Sequence, residues 1–168
     1  MASRRITVLE LSSPIFFPEG DIEWKEEYSE GYYPSIPFIH EAAFFANLIS
    51  FRPWENREES LALLLQEWKT LIKSLKLLFA ERRQKETTKE MQKAAAFFLE
   101  YLYWSNGQPV EFPLERMDRL EGKPVNVRER ISFILSRPAL YASFVQLEEM
   151  MREQEKQYAA IQLKNKQK

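Results

Sequence analysis

Three kinds of side chain in this sequence could do chemistry: one imidazole, His40; two carboxylates set inside apolar runs, Glu67 and Glu100; and a group of guanidiniums, Arg116, Arg119, Arg128, Arg130 and Arg137. A carboxyl buried among apolar side chains keeps its proton to a higher pH and becomes a candidate general acid or base. A guanidinium fork grips a carboxylate or phosphate through two parallel hydrogen bonds, so converging arginines would mark a site for an anion or an acidic peptide.

The remaining chemistry is excluded by count. A ferritin-like di-iron bundle needs two Glu-x-x-His motifs, and the chain has one His. No Cys means no thiolate nucleophile, no disulfide framework and no Cys-ligated zinc within the chain. Four Gly form neither a Walker A nor a dinucleotide fingerprint, and the Ser residues lack a plausible His partner. The sequence therefore presents no catalytic constellation and no metal or cofactor site, and the expectation is a protein that is not an enzyme. Catalysis through carboxylates and Arg alone would require a solvent-open pocket with two converging carboxylates.

These residues are positioned by strongly periodic apolar stripes in a chain that is 14% aromatic. Phe38, Ala42, Phe45, Ala46 and Ile49 share one helical face that Pro53 closes. At roughly 100° per residue, His40 points away from that face and is expected to be exposed. The cleanest stripe follows, with Leu61, Leu64, Leu65, Trp68, Leu71, Ile72, Leu75, Leu78 and Phe79 at three- and four-residue steps. A third helix, about Thr88 to Ser105, carries Met91, Ala94, Ala95, Phe98, Tyr101 and Leu102, with Phe97 and Trp104 widening the arc. Glu100 falls opposite this face and is expected outside, as is Glu67 beside Trp68. Asn106, Gly107 and Pro109 stop this helix. A short helix with Val127, Ile131, Ile134 and Leu135 ends before Pro138, and a last one carries Leu140, Phe144, Leu147, Met151 and Tyr158. Asn56 with Glu59, Thr87 with Glu90, and Asn126 with Glu129 fit capping boxes. The stripes predict an all-α domain, a bundle of about five helices over residues 35–163, with an irregular acidic lead over 1–34 and a polar tail over 164–168.

Charge divides the chain. Residues 1–60 carry 5 Lys and Arg against 11 Asp and Glu, and the rest carries 19 against 14. Glu19, Asp21, Glu23, Glu26, Glu27 and Glu30 cluster around Trp24 and Tyr28, as a solvated loop pinned by its aromatics or as an arm that covers a basic face. No run approaches the roughly 18 apolar residues of a membrane span, and Met1 to Leu11 lack a signal-peptide core, so the expectation is a soluble cytoplasmic protein.

The run Tyr101, Leu102, Tyr103, Trp104, Ser105, Asn106, Gly107, Gln108, Pro109, Val110, the run Lys123 to Arg130, and Arg137, Pro138, Tyr141, Ser143, Phe144, Gln146 and Leu147 resemble the YpoC-like family of Gram-positive bacteria. The resemblance runs from about Pro34 to Ala160. It implies a small, cytosolic, all-helical bacterial protein without assigned function, from genes that neighbour DNA repair, replication initiation and cell-wall functions, and it carries over no catalytic residue.

The expected function is a non-enzymatic protein–protein interaction or adaptor module. Its contact surface combines Trp54, Trp104, Tyr141 and Gln146 with Arg128, Arg130 and Arg137, since exposed Trp, Tyr and Arg dominate binding hot spots. Glu115, Asp118, Glu121 and Glu129 are interleaved with the arginines, which favours salt bridges, and Arg130 is the one expected to be partly buried against an acid. The partner expected is a protein; the narrow final stripe is compatible with a homodimer. The alternative is a DNA-associated accessory protein of replication or repair that uses the basic C-terminal part, weakly supported at a pI of about 6.0.

Overall fold

The computed structural model describes residues 3–166. Its chain is mostly helical: strands β1 (Ser3–Ile6) and β2 (Ile22–Lys25), then helices α1 (Ile39–Phe45), α2 (Arg57–Ala80), α3 (Gln84–Ser105), α4 (Val127–Ser136) and α5 (Tyr141–Lys166). Short 3-10 turns at Leu9–Leu11, Glu26–Glu30, Pro53–Glu55 and Leu114–Arg119 join them. Lys164 and Lys166 of the expected tail continue α5, while Gln167 and Lys168 lie outside the described residues.

α3 is the central element. α2 runs back along one side of it, α5 packs on another, and every residue from Ala94 to Ser105 is buried. The width of its apolar arc anticipates several neighbours. The lead is one of those neighbours. β1 and β2 pair antiparallel with Ser3 opposite Lys25 and Ile6 opposite Ile22, and the alternation of β2 turns Ile22 and Trp24 inward. Trp24 meets Tyr28 edge to face at 5.5 Å, and Leu11 is buried beside them in the common core. Phe112 N–H, in the loop after α3, donates to Glu10 O at 2.7 Å and fastens the lead to the bundle.

Helix ends depart from the sequence expectations. α1 stops at Phe45, leaving Ile49 in an exposed loop. None of the three capping boxes closes. Asn56 turns its amide to Arg52 O instead; α3 begins at Gln84, which puts Thr87 inside the helix with its hydroxyl on Arg83 O; and Asn126 precedes α4 in a left-handed conformation with no side-chain cap bond. Ser, Thr and Asn side chains have several local backbone partners, and the cap is only one of them. The stop after α3 does form as expected. Gly107 takes φ +72°, and the N–H groups of Gly107 and Gln108 return to Trp104 O and Tyr103 O.

Candidate functional site

α4 buries Val127, Ile131, Ile134 and Leu135, which turns Asn126, Glu129, Arg130 and Phe133 to its other side. α5 lies alongside and contributes Ala142 and Gln146, and between them they line an open cleft of about 580 Å³. Arg130 forms a wall of this cleft. Its Nε donates to Gln146 Oε1 at 2.8 Å, its terminal nitrogens meet both oxygens of Glu153 at 3.3 and 2.6 Å, and Nη1 also reaches Val125 O at 3.0 Å. This bidentate brace uses up the guanidinium, so Arg130 joins α4 to α5 and is not free to receive an anion.

The other arginines do not converge with it. Arg116 and Arg119 both turn to Glu111, at 3.5 and 3.3 Å, and Arg128 lies 3.5 Å from Asp118. Arg137 is exposed at the α4–α5 corner and makes no ion pair among the described residues. Its carbonyl accepts from Ser143 Oγ at 2.7 Å, which fixes the start of α5.

Next to that corner is a second groove, of about 290 Å³, where the α2–α3 turn meets the α4–α5 turn. Leu78, Phe79 and Arg82 line it from one side, and Ala139, Leu140 and Tyr141 from the other. Tyr141 packs its ring on Phe79 and Phe144, with centroids at 5.6 and 5.7 Å, yet remains 61% exposed. Of the seven residues expected to form the contact surface, Arg130 and Gln146 share the first cleft, Tyr141 borders the second, and Arg128 and Arg137 stand apart from both. Trp54 and Trp104 are buried and belong to the core, a correction to their expected place on the surface. Large aromatics bury the most apolar area per residue, and here the lead and the 3-10 turn at Pro53 supply the cover.

A polar group inside the core was missed by the helical phases. Glu100 and His40, both expected outside, are buried, and Glu41 beside them is buried as well. Glu41 Oε2 accepts from Trp104 Nε1 at 2.6 Å and from Val110 N–H at 3.1 Å; Glu100 Oε2 accepts from Phe38 N–H at 3.4 Å. The remaining oxygen of each carboxyl has no hydrogen-bond partner. Burial pushes the Glu41 carboxyl up to about 7, against the pull of its two donors, and raises Glu100 well above the ordinary carboxyl range with help from the charge of Glu41. Tyr33 N–H donates to His40 Nε2 at 3.0 Å, which leaves the proton on Nδ1 facing Ser50 Oγ at 3.0 Å. Burial lowers this imidazole to about 4. The phases were correct about direction, but the side of α1 and α3 away from the first core faces the lead and its aromatics and not water. Neither carboxyl lines a cleft among the described residues, and both are closed off from solvent.

The structure thus defines a helical-bundle domain with open clefts on the α4–α5 hairpin and at its corner, and with another of about 520 Å³ after α1, between Phe44 and Arg52. Residues 58–166, spanning α2 to α5, match the family described as YpoC-like protein, and the chain belongs to that family. Over 109 residues, 63% of this chain, it is 33% identical to the Bacillus subtilis (strain 168) protein described as uncharacterized protein YpoC. The alignment spans 66% of that relative, just under two thirds of its length. No solved structure matches the chain. The match begins at residue 58, later than Pro34, so the lead and α1, including His40 and Glu41, lie outside it, while Glu100, the arginines and Tyr141 lie within. Among the described residues no helix is long and apolar enough to cross a membrane.

Proposed function

We propose that the chain is a non-enzymatic helical module that binds a protein partner through the α4–α5 hairpin. The observation that carries this reading is the crowding of large exposed apolar side chains there: Phe133 at 43%, Leu140 at 43% and Tyr141 at 61%, with the unpaired Arg137 among them. Single exposed apolar residues are ordinary, but a contiguous group flanked by charge is typical of an interaction site. Tyr and Arg are the side chains that most often anchor such contacts. The titratable pair that could serve as acid and base is sealed in the core, which supports a binding role over a catalytic one.

A photo-crosslinking residue placed at Tyr141 or Phe133, in a Gram-positive host, tests the reading against the same residue at Thr70 on the exposed side of α2. Discrete protein adducts are expected from the first two positions and not from the third. Substituting Arg128→Ala with Arg137→Ala should deplete those adducts. Adducts indistinguishable from the Thr70 control would overturn the assignment of this face.

A further inference from the structure

The corner groove sits at the strongly basic end of the molecule. Residues 73–89, which form the end of α2, the turn and the start of α3, carry six Lys and Arg against two Glu. Arg83 is held by Glu81 and Glu86, at 3.6 and 3.2 Å, whereas Lys73, Lys76, Arg82 and Lys85 are exposed and make no ion pair among the described residues. Arg137, at the adjoining α4–α5 corner, is a further cation without an ion pair among the described residues. Arg82 lines the groove beside Leu78 and Phe79, and across from them lie the exposed edges of Leu140 and Tyr141. The acidic lead packs at the other end of α3, where Tyr32 meets Trp104 edge to face at 6.0 Å and Phe38 N–H reaches Glu100. Sixteen residues of helix separate Glu100 from Gln84, a distance of about 24 Å at 1.5 Å per residue. The molecule is therefore polarised along α3, and its field steers an anionic partner towards the groove and away from the lead.

From this juxtaposition we infer that the groove between the α2–α3 and α4–α5 turns receives an acidic amphipathic segment of a partner protein. Apolar side chains of the segment enter beside Phe79 and Tyr141, and its carboxylates face Arg82 in the groove and the exposed cations of the adjoining turn and corner. The inference rests on the interaction reading above and gives its partner a chemistry. At about 290 Å³ the groove falls at the lower limit of ligand pockets, which start at about 300 Å³, and suits inserted side chains better than a small molecule. A nucleic-acid backbone would meet the cations but leave Leu140 and Tyr141 without an apolar partner. A membrane surface would press Glu81 and Glu86, at the apex of the turn, against anionic headgroups.

The test uses two fluorescein-labelled synthetic helical peptides with the same Leu spacing, i, i+4 and i+7, one filled with Glu and the other with Lys, titrated against the full chain. The Glu peptide is expected to bind and the Lys peptide not to bind. Affinity for the Glu peptide should weaken about fivefold or more as salt rises from about 50 to 300 mM, because exposed charges are screened over that range. Tyr141→Ala should weaken it about tenfold, the loss of one aromatic anchor, and Arg82→Glu with Arg137→Glu should abolish it; circular dichroism checks that both variants fold. Equal binding of both peptides, or no effect of the charge reversals, would falsify the acidic partner. Binding of duplex DNA or phosphatidylserine vesicles, lost in the same variants while the Glu peptide stays unbound, would reassign the surface to those anions, and salt-sensitive dimerisation in sedimentation to the lead of a second copy. If crosslinks at Tyr141 persist while the Glu peptide fails, the interaction reading stands and only the partner chemistry falls.

Discussion

The indole N–H of Trp104 donates to Glu41 Oε2 at 2.6 Å, joining α3 to α1 through a carboxyl that solvent does not reach. The same carboxyl takes Val110 N–H, so one side chain from outside the family match ties together two segments inside it. Because Glu41 and Glu100 are both buried and His40 is buried near them, the protonation of this core makes the stability of the fold depend on pH.

Glu41 titrates at about 7 in the folded chain against an ordinary 4.5, so the folded state binds the proton more tightly between those values. Its stabilisation is complete below 4.5, falls as pH rises through 7 and is absent above. Glu100, also raised by burial, adds to the decline. His40 acts in the opposite sense: lowered from 6.5 to about 4, it contributes fully above 6.5 and loses that contribution as pH falls through 4. The two slopes oppose each other between 4.5 and 6.5, and only the carboxyl decline remains above. Wild-type urea midpoints should therefore drop between pH 6.5 and about 8. Glu41→Gln, which keeps an acceptor for Trp104, should flatten that drop and gain on the order of 1 to 3 kcal/mol at about pH 8. An unchanged profile would mean that Glu41 is ionised throughout.

Trp104→Phe removes the donor and leaves a cavity where the second ring stood, a cost that is the same at every pH. A hydrogen bond to a charged acceptor contributes about 1.5–3 kcal/mol and one to a neutral acceptor about 0.5–1.5 kcal/mol. The substitution should therefore cost more at about pH 8, where Glu41 is ionised, than at about pH 5, where it is neutral. Chemical denaturation at the two pH values measures the difference, and equal costs would separate the indole from the titration of Glu41.

His40 is expected to stay neutral, protonated on Nδ1, down to about pH 4. Long-range nitrogen–proton NMR spectra distinguish the two ring nitrogens, and Nε2 should remain in the unprotonated range from pH 8 to about 5. A titration midpoint near 6.5 would show the imidazole open to water.

The sequence revealed the helices and the central place of α3, because stripes such as Leu61 to Phe79 and the stop at Asn106 and Gly107 are local patterns. It did not reveal the buried acids. The phase of Glu100 relative to Phe98 and Leu102 shows which way the carboxyl points, but not that Phe38 and the lead wait there; that depends on contacts 62 residues apart in sequence. The arginines illustrate the same limit. Pairing was legible from their acidic surroundings and the partial burial of Arg130 was anticipated, yet its partner is Glu153, and Arg116 and Arg119 take Glu111. The basic turn at residues 73–89 was not singled out from the general basic excess after residue 60, and only the packing of Phe79 on Tyr141 brings it beside the α4–α5 corner.

The loop between α3 and α4 offers the last prediction, and a choice between two ways of holding it. Asn106 Nδ2 donates to Leu102 O and Gly122 O, both at 2.8 Å, and its Oδ1 accepts from Gly122 N–H at 2.9 Å. Gln154 of α5 adds bonds to Gly122 O and Ser105 Oγ at 2.9 and 2.8 Å. A Cβ at Gly122 would come within 2.8 Å of Ile161 Cδ1, the far end of a flexible side chain that can turn away. Hydrogen bonds, not the absence of a side chain at Gly122, therefore hold the loop. Asn106→Ala should cost about 2–3 kcal/mol, for three lost bonds and an unpaired Gly122 N–H. Gly122→Ala should cost under about 1 kcal/mol. Urea unfolding gives the two values, and amide exchange over residues 107–126 should accelerate in Asn106→Ala alone. A larger loss in Gly122→Ala would show that close packing against Ile161 sets the position of the loop.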